Sequence, residues 1–94
     1  MPYRPRLVFV RVGEDPASVF YVRSKQRFAK RVGVDAETMV LPDDVEQAEL
    51  MATIAALNAD PDTDAVLVQL PLPGHLDSAP VLEAIDPAKD VDGF

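Results

Sequence analysis

Cysteine and tryptophan are both absent from this 94-residue chain, and histidine occurs only once. The lack of cysteine excludes disulfides, thiolate metal sites and thiol nucleophiles, and it is compatible with a reducing cytoplasm, where we expect the protein to act. No apolar run approaches the roughly 18 residues that a membrane helix needs, and no signal-peptide pattern opens the chain. We therefore expect a soluble protein with no membrane partner.

Glycine is scarce as well. The four glycines stand at positions 13, 33, 74 and 93. That spacing cannot form the G-x-G-x-x-G loop with which many proteins hold the phosphates of a dinucleotide. We therefore expect no nucleotide cofactor on this chain.

Positive charge is in the minority, with 9 Lys and Arg residues against 16 Asp and Glu residues and a net charge of −7. This balance opposes nucleic-acid binding, which needs a cationic face. Most of the basic residues nevertheless precede Val32, and their local field could attract a small anionic ligand. They are Arg4, Arg6, Arg11, Arg23, Lys25, Arg27, Lys30 and Arg31.

The apolar runs predict an α/β fold, and the chain length predicts one domain with a modest core. Strands are predicted at Leu7–Val12, Thr38–Leu41 and Ala65–Leu70, and helices after Asp15, at Val45–Asn58 and at Ala79–Ile85. The resulting βαβαβα order implies right-handed crossovers and an open parallel sheet in strand order 2-1-3. Helices on both faces would make it a three-layer αβα structure.

The first helix has clear end signals. Asp15 is suited to cap it, Pro16 is suited to its first position, and Gly33 follows where a left-handed C-terminal cap is expected. Between them, side chains recur at the three- and four-residue spacing of an amphipathic helix. These are Ala17, Phe20, Tyr21, Ser24, Phe28 and Val32.

The strand order also predicts where a ligand binds. In open α/β sheets the site lies beyond the carboxyl ends of the strands where the order reverses, which is here between the first and third strands. Ser18, Tyr21, Val22 and Lys25 share a narrow band of the first helix beside its core face. Gln69 interrupts the apolar third strand at its end.

Each candidate also has an ordinary explanation. Lys25 could be a solvated surface charge, and Tyr21 could be a core aromatic with its hydroxyl at the rim. A lysine desolvated beside a phenol could instead exchange protons near neutrality. Gln69 could be a tolerated polar strand end, but a buried amide needs partners, and either Lys25 or a ligand would serve.

Four other residues also have both a functional and an ordinary explanation. Ser18 could be a nucleophile, although no histidine or acid pairs with it in sequence and helix-start hydroxyls usually satisfy backbone amides. His75 could be a general base, although its Pro-rich loop favours a surface position. Asp90 and Asp92 could bind a hard cation, but no further ligand cluster accompanies them, so we expect no metal site.

Four sequence blocks together resemble one enzyme family along nearly the whole chain. They are Gly13-Glu14-Asp15-Pro16-Ala17-Ser18, Tyr21-Val22-Arg23-Ser24-Lys25, Val68-Gln69-Leu70-Pro71-Leu72-Pro73 and Lys89-Asp90-Val91-Asp92-Gly93-Phe94. They resemble the catalytic domain of bifunctional methylenetetrahydrofolate dehydrogenase/methenyltetrahydrofolate cyclohydrolase. The resemblance implies oxidation of methylenetetrahydrofolate to the methenyl form and hydrolysis of that form to formyltetrahydrofolate. This is one-carbon metabolism of the kind that supplies purine biosynthesis.

The resemblance also implies roles for residues. Lys25, Tyr21 and Gln69 would be catalytic, with Lys25 handling the water and proton transfers. Tyr21, Ser18, Gln69 and Asp92 would bind the tetrahydrofolate derivative. A carboxylate can accept the two adjacent N–H groups of a pterin, and by resemblance Asp92 does so while Asp90 is structural.

Members of this family begin with a helix before the first strand and continue into a Rossmann domain that binds NADP or NAD. We expect residues 1–94 to be the folate-binding domain of such a two-domain enzyme without those two parts. Alone, it could at most bind folate or support cyclohydrolysis, and we expect a homodimer. The alternative is a non-catalytic α/β fragment that acts as a folding or assembly module.

Overall fold

Three parallel strands form the sheet in the order β2-β1-β3. The computed structural model describes residues 4–90. The elements are β1 (Arg6–Val12), α1 (Pro16–Arg31), β2 (Asp35–Leu41), α2 (Gln47–Ala59), β3 (Ala65–Val68) and α3 (Ser78–Ala84). Their order, their direction and the strand order 2-1-3 are those that the sequence predicts.

Three strand boundaries differ from the prediction, of which the smallest is the start of β1, one residue early at Arg6. β2 begins three residues early, because Asp35, Ala36 and Glu37 pair with the start of β1 and Glu37 also forms an ion pair with Arg6. β3 ends two residues early, at Val68. The backbone N–H of Gln69 nevertheless donates to Val10 O at 2.9 Å, so one further rung of the ladder is present.

The ends of α1 are formed as predicted. The Asp15 carboxylate accepts a hydrogen bond from the backbone N–H of Ala17 at 2.8 Å and a longer one from that of Ser18. Pro16 occupies the first turn. After the helix, Gly33 has a φ of +87°, the left-handed conformation that favours glycine at this position.

Hydrophobic side chains pack on both faces of the sheet. The larger core contains Val8 and Val10 of β1 together with Leu50, Ile54 and Val81 from α2 and α3. A smaller core lies on the other face, where α1 packs. Its buried members are Leu7, Phe9 and Val22. The three-layer αβα arrangement is therefore confirmed.

The apolar repeat of α1 does not mark its buried side. Phe20 is 61% exposed, and Tyr21, Phe28 and Val32 are also exposed. The buried residues of the helix are Ser18, Val22 and Ala29. These side chains are small or β-branched, and they let the helix approach the sheet closely. The predicted apolar face was therefore wrong, whereas the band with Ser18, Val22 and Lys25 does adjoin the core.

The chain returns to the sheet after α3. Asp90 forms a parallel bridge with Val66, and the backbone N–H of Val66 donates to Lys89 O at 2.8 Å. The Lys89 ammonium donates to Leu57 O at 3.0 Å and to Asp60 O at 2.7 Å, where it satisfies carbonyls at the end of α2. The predicted site residue Asp92 lies outside the described residues.

Candidate functional site

Lys25 and Gln69 meet on the α1 face of the sheet. The Lys25 ammonium donates to Gln69 Oε1 at 3.0 Å. Gln69 Nε2 donates in turn to Leu70 O at 2.7 Å, so both ends of the amide have partners and its orientation is fixed. The sequence-based expectation that Gln69 orients Lys25 agrees with this geometry.

The alternation of side chains along β3 explains the position of Gln69. Ala65 and Leu67 pack in the smaller core under α1, so the next residue of the same parity also faces α1. Lys25 stands above the strand end because it lies one turn beyond the buried Val22. The pair therefore lies at the carboxyl ends of β1 and β3, the predicted switch point of the sheet.

Ser18 occupies the same band of α1, nearer its start. Its side chain is 2% exposed, and its Oγ has no hydrogen-bond partner among residues 4–90. It does not cap the helix, because Asp15 serves that purpose. A buried hydroxyl without a partner is costly, so this oxygen is suited to bind a ligand atom or an ordered water.

Tyr21 precedes Lys25 by one turn and lies about 40° from it around the helix axis. It is 51% exposed and is therefore not a core aromatic. The Phe20 ring lies edge-on to it, with 5.9 Å between the ring centroids. Much of the phenol ring is thus free to pack against a flat ligand.

Arg11 is a candidate that the sequence reasoning missed as a site residue. Its side chain is only 11% exposed, and its guanidinium donates to Gly13 O and lies 3.3 Å from a carboxylate oxygen of Glu14. Leu7 and Phe9 face α1, so alternation places Arg11 on that face too. The available signal was a polar residue near the end of an apolar strand, the same signal that singled out Gln69.

The remaining candidates are not brought to this pair by the described structure. His75 Nε2 contacts Val45 O at 2.8 Å, and Val45 belongs to the core on the opposite face of the sheet. Asp90 is exposed at its bridge with Val66. In residues 4–90, no group of three or more His, Asp or Glu side chains could hold a metal ion.

The Lys25 ammonium has no ion-pair partner in residues 4–90. No carboxylate of those residues lies within 4 Å of it, since the ion pairs there involve only Arg6 and Arg11. The resolved carboxyl shift lies elsewhere, at Asp60. A hydrogen bond from the Asp62 backbone and another from the Thr63 hydroxyl lower the pKa of Asp60 below its usual value of 3.8.

The turn after β1 does not suit a nucleotide phosphate. Gly13 is followed by two acidic residues, and a Cβ at Gly13 would lie 2.6 Å from Oδ1 of Asp43. A third carboxylate therefore adjoins the turn, and it would repel a pyrophosphate. None of the helices in residues 4–90 is both long and apolar enough to cross a membrane.

Comparisons with known proteins agree on one family. The family described as tetrahydrofolate dehydrogenase/cyclohydrolase, catalytic domain, matches residues 2–92. The bifunctional protein FolD of Acidiphilium cryptum is 60% identical over 94 residues, which are 100% of this chain and 34% of that relative. The chain thus spans about a third of the length of the curated relatives it matches.

Solved structures show the same likeness. The bifunctional FolD enzyme of Campylobacter jejuni, a methylenetetrahydrofolate dehydrogenase/cyclohydrolase, matches 97% of this chain and 32% of its own, with a TM-score of 0.93 and 41% identity. The Trypanosoma brucei methylenetetrahydrofolate dehydrogenase-cyclohydrolase, solved with NADP and an inhibitor, matches 93% of this chain and 29% of its own. Its TM-score is 0.86 and its identity is 36%.

Proposed function

The chain belongs to the tetrahydrofolate dehydrogenase/cyclohydrolase family, through its catalytic domain, and from this we propose that it binds a tetrahydrofolate derivative and supports hydrolysis of methenyltetrahydrofolate to formyltetrahydrofolate. The observation that carries the proposal is the 3.0 Å hydrogen bond between Lys25 and Gln69 at the switch point of the sheet. This bond supports the proposal because it holds the Lys25 nitrogen, through an amide with partners at both ends, at the edge where ligands of such folds bind.

In this proposal Lys25 takes up one proton and later returns it to the substrate. The neutral amine takes a proton from a water molecule as the water oxygen bonds to the methenyl carbon. The resulting ammonium then donates that proton to the ring nitrogen as the carbon–nitrogen bond breaks. The remaining hydroxyl proton leaves to solvent as the formyl C=O forms, so one water is consumed and one proton released.

The neighbouring residues have supporting roles in this proposal. Gln69 is a positioning residue, because it accepts from the Lys25 ammonium and is itself anchored to Leu70 O. The half-exposed Tyr21 ring packs against the folate, and the unpartnered Ser18 hydroxyl bonds to it or to an ordered water. Asp92 accepts the paired N–H groups of the pterin.

The dehydrogenase reaction belongs, in this proposal, to a longer protein of which residues 1–94 form the folate-binding domain. The chain spans about a third of its relatives, and the turn at Gly13 is acidic where a pyrophosphate would need donors. NADP or NAD would therefore bind on another domain and would accept the hydride from the methylene carbon. The residues of this chain would bind and orient the folate for that step.

A domain graft tests the cyclohydrolase proposal. The aligned third of the Acidiphilium relative is replaced by these 94 residues, and methenyltetrahydrofolate hydrolysis is followed by absorbance. We expect the graft to hydrolyse the substrate and Lys25→Met to abolish the activity, by roughly 10²- to 10⁴-fold. Lys25→Arg should fail too, because a guanidinium stays protonated across the working range.

Matched controls make this test decisive. Lys30→Met removes a lysine from the exposed side of α1 and should leave the rate unchanged. Circular dichroism checks the fold of each variant. A folded Lys25→Met graft with near-parental turnover would place the chemistry elsewhere, and a folded, inactive native graft would favour the non-catalytic module instead.

The protein is further proposed to act as a homodimer in the cytoplasm, in the one-carbon metabolism that supplies purine biosynthesis. The exposed side chains of Phe20, Phe28 and Val32 support burial of α1 in a larger assembly, because large apolar patches on a protein surface favour association. Sedimentation equilibrium on the graft would measure the subunit number, and a monomer would overturn the dimer proposal.

A further inference from the structure

The Arg11 side chain is nearly buried at the carboxyl end of the central strand. One terminal nitrogen, Nη1, bonds to Gly13 O and contacts Glu14. A guanidinium has five N–H donors, and the contacts of Nη1 engage at most two of them. Arg11 therefore keeps donor capacity and a full positive charge at the edge where the proposed ligand binds.

The register of the sheet places Arg11 beside Gln69. Val10 pairs with Val68, and the Gln69 backbone N–H extends the ladder by bonding to Val10 O. Neighbouring parallel strands lie roughly 5 Å apart, and both side chains are on the α1 face. Since Gln69 holds Lys25, the two basic residues lie on the same face of the sheet next to Gln69 in the register.

The charge of Arg11 is only partly offset. Glu14 contacts it at 3.3 Å but is 79% exposed, so solvent screens this carboxylate far more than it screens the guanidinium. In the described part of the chain no other carboxylate pairs with Arg11 or Lys25. Arg11 and Lys25 therefore bring two positive charges to the Gln69 side of this edge, while Asp15 and Asp43 lie on the Gly13 side.

We propose that Arg11 is a specificity-determining residue whose charge makes this site favour the uncharged formyl form of the bound folate over the methenyl cation. The inference rests on the proposed function. A fixed cation beside the reacting ring repels a ligand that carries positive charge there, and it attracts the partial negative charge of a formyl oxygen. The site would therefore favour the product of cyclohydrolysis, which is the form that a consuming formyl-transfer reaction needs.

The test compares two ligands that differ by one charge. The dissociation constants of the complete 94-residue chain are measured for 5,10-methenyltetrahydrofolate and 10-formyltetrahydrofolate by stopped-flow fluorescence, which reads binding before hydrolysis. Arg11→Leu should shift the ratio of the two constants toward the methenyl cation by about tenfold, as expected for a nearby unit charge that is partly screened.

Three further variants isolate charge from shape. Arg11→Lys should keep the native ratio, because the charge remains. Glu14→Gln should shift the ratio the opposite way by roughly twofold, since it removes a screened anion. Arg23→Leu deletes an exposed cation on the far side of α1 and should change nothing.

The outcomes separate this inference from the proposed function. Equal changes in both dissociation constants on Arg11→Leu would show a structural role and overturn the inference alone. A native chain that binds neither ligand would overturn the proposed function and the inference with it. If Arg11→Leu does not fold, an unchanged ratio in Glu14→Gln overturns the inference.

Discussion

The ammonium of Lys25 and the amide oxygen of Gln69 lie 3.0 Å apart, although 44 positions separate the two residues in the chain. One belongs to α1 and the other follows β3, so neither local segment contains the pair. The contact exists only when the helix and the third strand have both packed on β1. Its geometry is therefore a property of the completed sheet.

Replacing Gln69 should impair chemistry more than folding. Gln69→Leu removes the acceptor of the Lys25 ammonium, and a hydrogen bond to a charged group contributes about 1.5–3 kcal/mol. We expect the hydrolysis rate of the graft to fall by roughly ten- to a hundredfold. Gln47→Leu, on α2, is the matched control, because it also removes side-chain hydrogen bonds, to the Asp77 backbone, and should leave the turnover of the folded graft near native. A folded Gln69→Leu variant with full turnover would show that Lys25 needs no positioning.

Alanine at the left-handed glycines should destabilise the chain. Gly13 and Gly33 have φ values of +77° and +87°, so each substitution should cost about 1 kcal/mol in urea unfolding. A Cβ at Gly13 also meets Asp43 Oδ1, but this exposed side chain can turn away. We therefore expect similar costs at the two sites. Gly74→Ala, with no atoms within 4 Å, should be near neutral, and a Gly13 cost well above that of Gly33 would mean that Asp43 is held in place.

Asp60 should make the folded state sensitive to acid. Its pKa is lowered in the folded chain by the Asp62 backbone amide and then by the Thr63 hydroxyl. A lowered pKa gives stability that is present above the usual carboxyl value of 3.8 and is lost as the pH falls through the folded value. Asp60→Asn should therefore reduce the difference in unfolding free energy between about pH 6 and about pH 3. The control Asp62→Asn should retain it, and an unaltered difference in Asp60→Asn would contradict the assignment.

Asp92 should govern folate affinity. Asp92→Asn exchanges one acceptor oxygen for a donor against the pterin N–H groups, which should weaken binding by about 2–4 kcal/mol. The affinity of the graft for 5-formyltetrahydrofolate measures this. Asp90→Asn is the control, because Asp90 is exposed beside Val66 and is assigned a structural role. Unchanged affinity in Asp92→Asn would remove this residue from the site.

The sequence predicted the sheet well because its signals were local. Asp15, Pro16 and Gly33 define the ends of α1 through backbone chemistry that needs no tertiary contact. The strand order follows from the alternation of elements and from crossover handedness. Only pairing could reveal the early start of β2, because Asp35 and Glu37 are polar and join the strand through their partners on β1.

The packed side of α1 was harder to predict. Phe20 and Phe28 repeat with helical period, but so do Val22 and Ala29, and periodicity cannot choose between two stripes. The stripe that packs against the sheet is the one with the smaller side chains, which contains Val22 and Ala29. Lys25 and Gln69 were predictable as candidates because each is a polar residue beside an apolar face. Arg11 gave a similar signal, but its near burial becomes evident only once α1 and the loop after β1 are in place.

Lys89 joins the end of α2 to β3, and Asn58 ties the same end of α2 to Ala84 O and to the backbone N–H of Asp86. The Lys89 ammonium holds the last carbonyls of α2, while the Lys89 carbonyl accepts the Val66 amide proton. Detachment of residues 87–90 would therefore expose that amide proton to solvent and remove the donor to Leu57 O and Asp60 O in the same event. Amide hydrogen exchange at Val66 would then report the attachment of the segment that leads toward Asp92, and Lys89→Met should accelerate it while the exchange of amides within α1 stays slow.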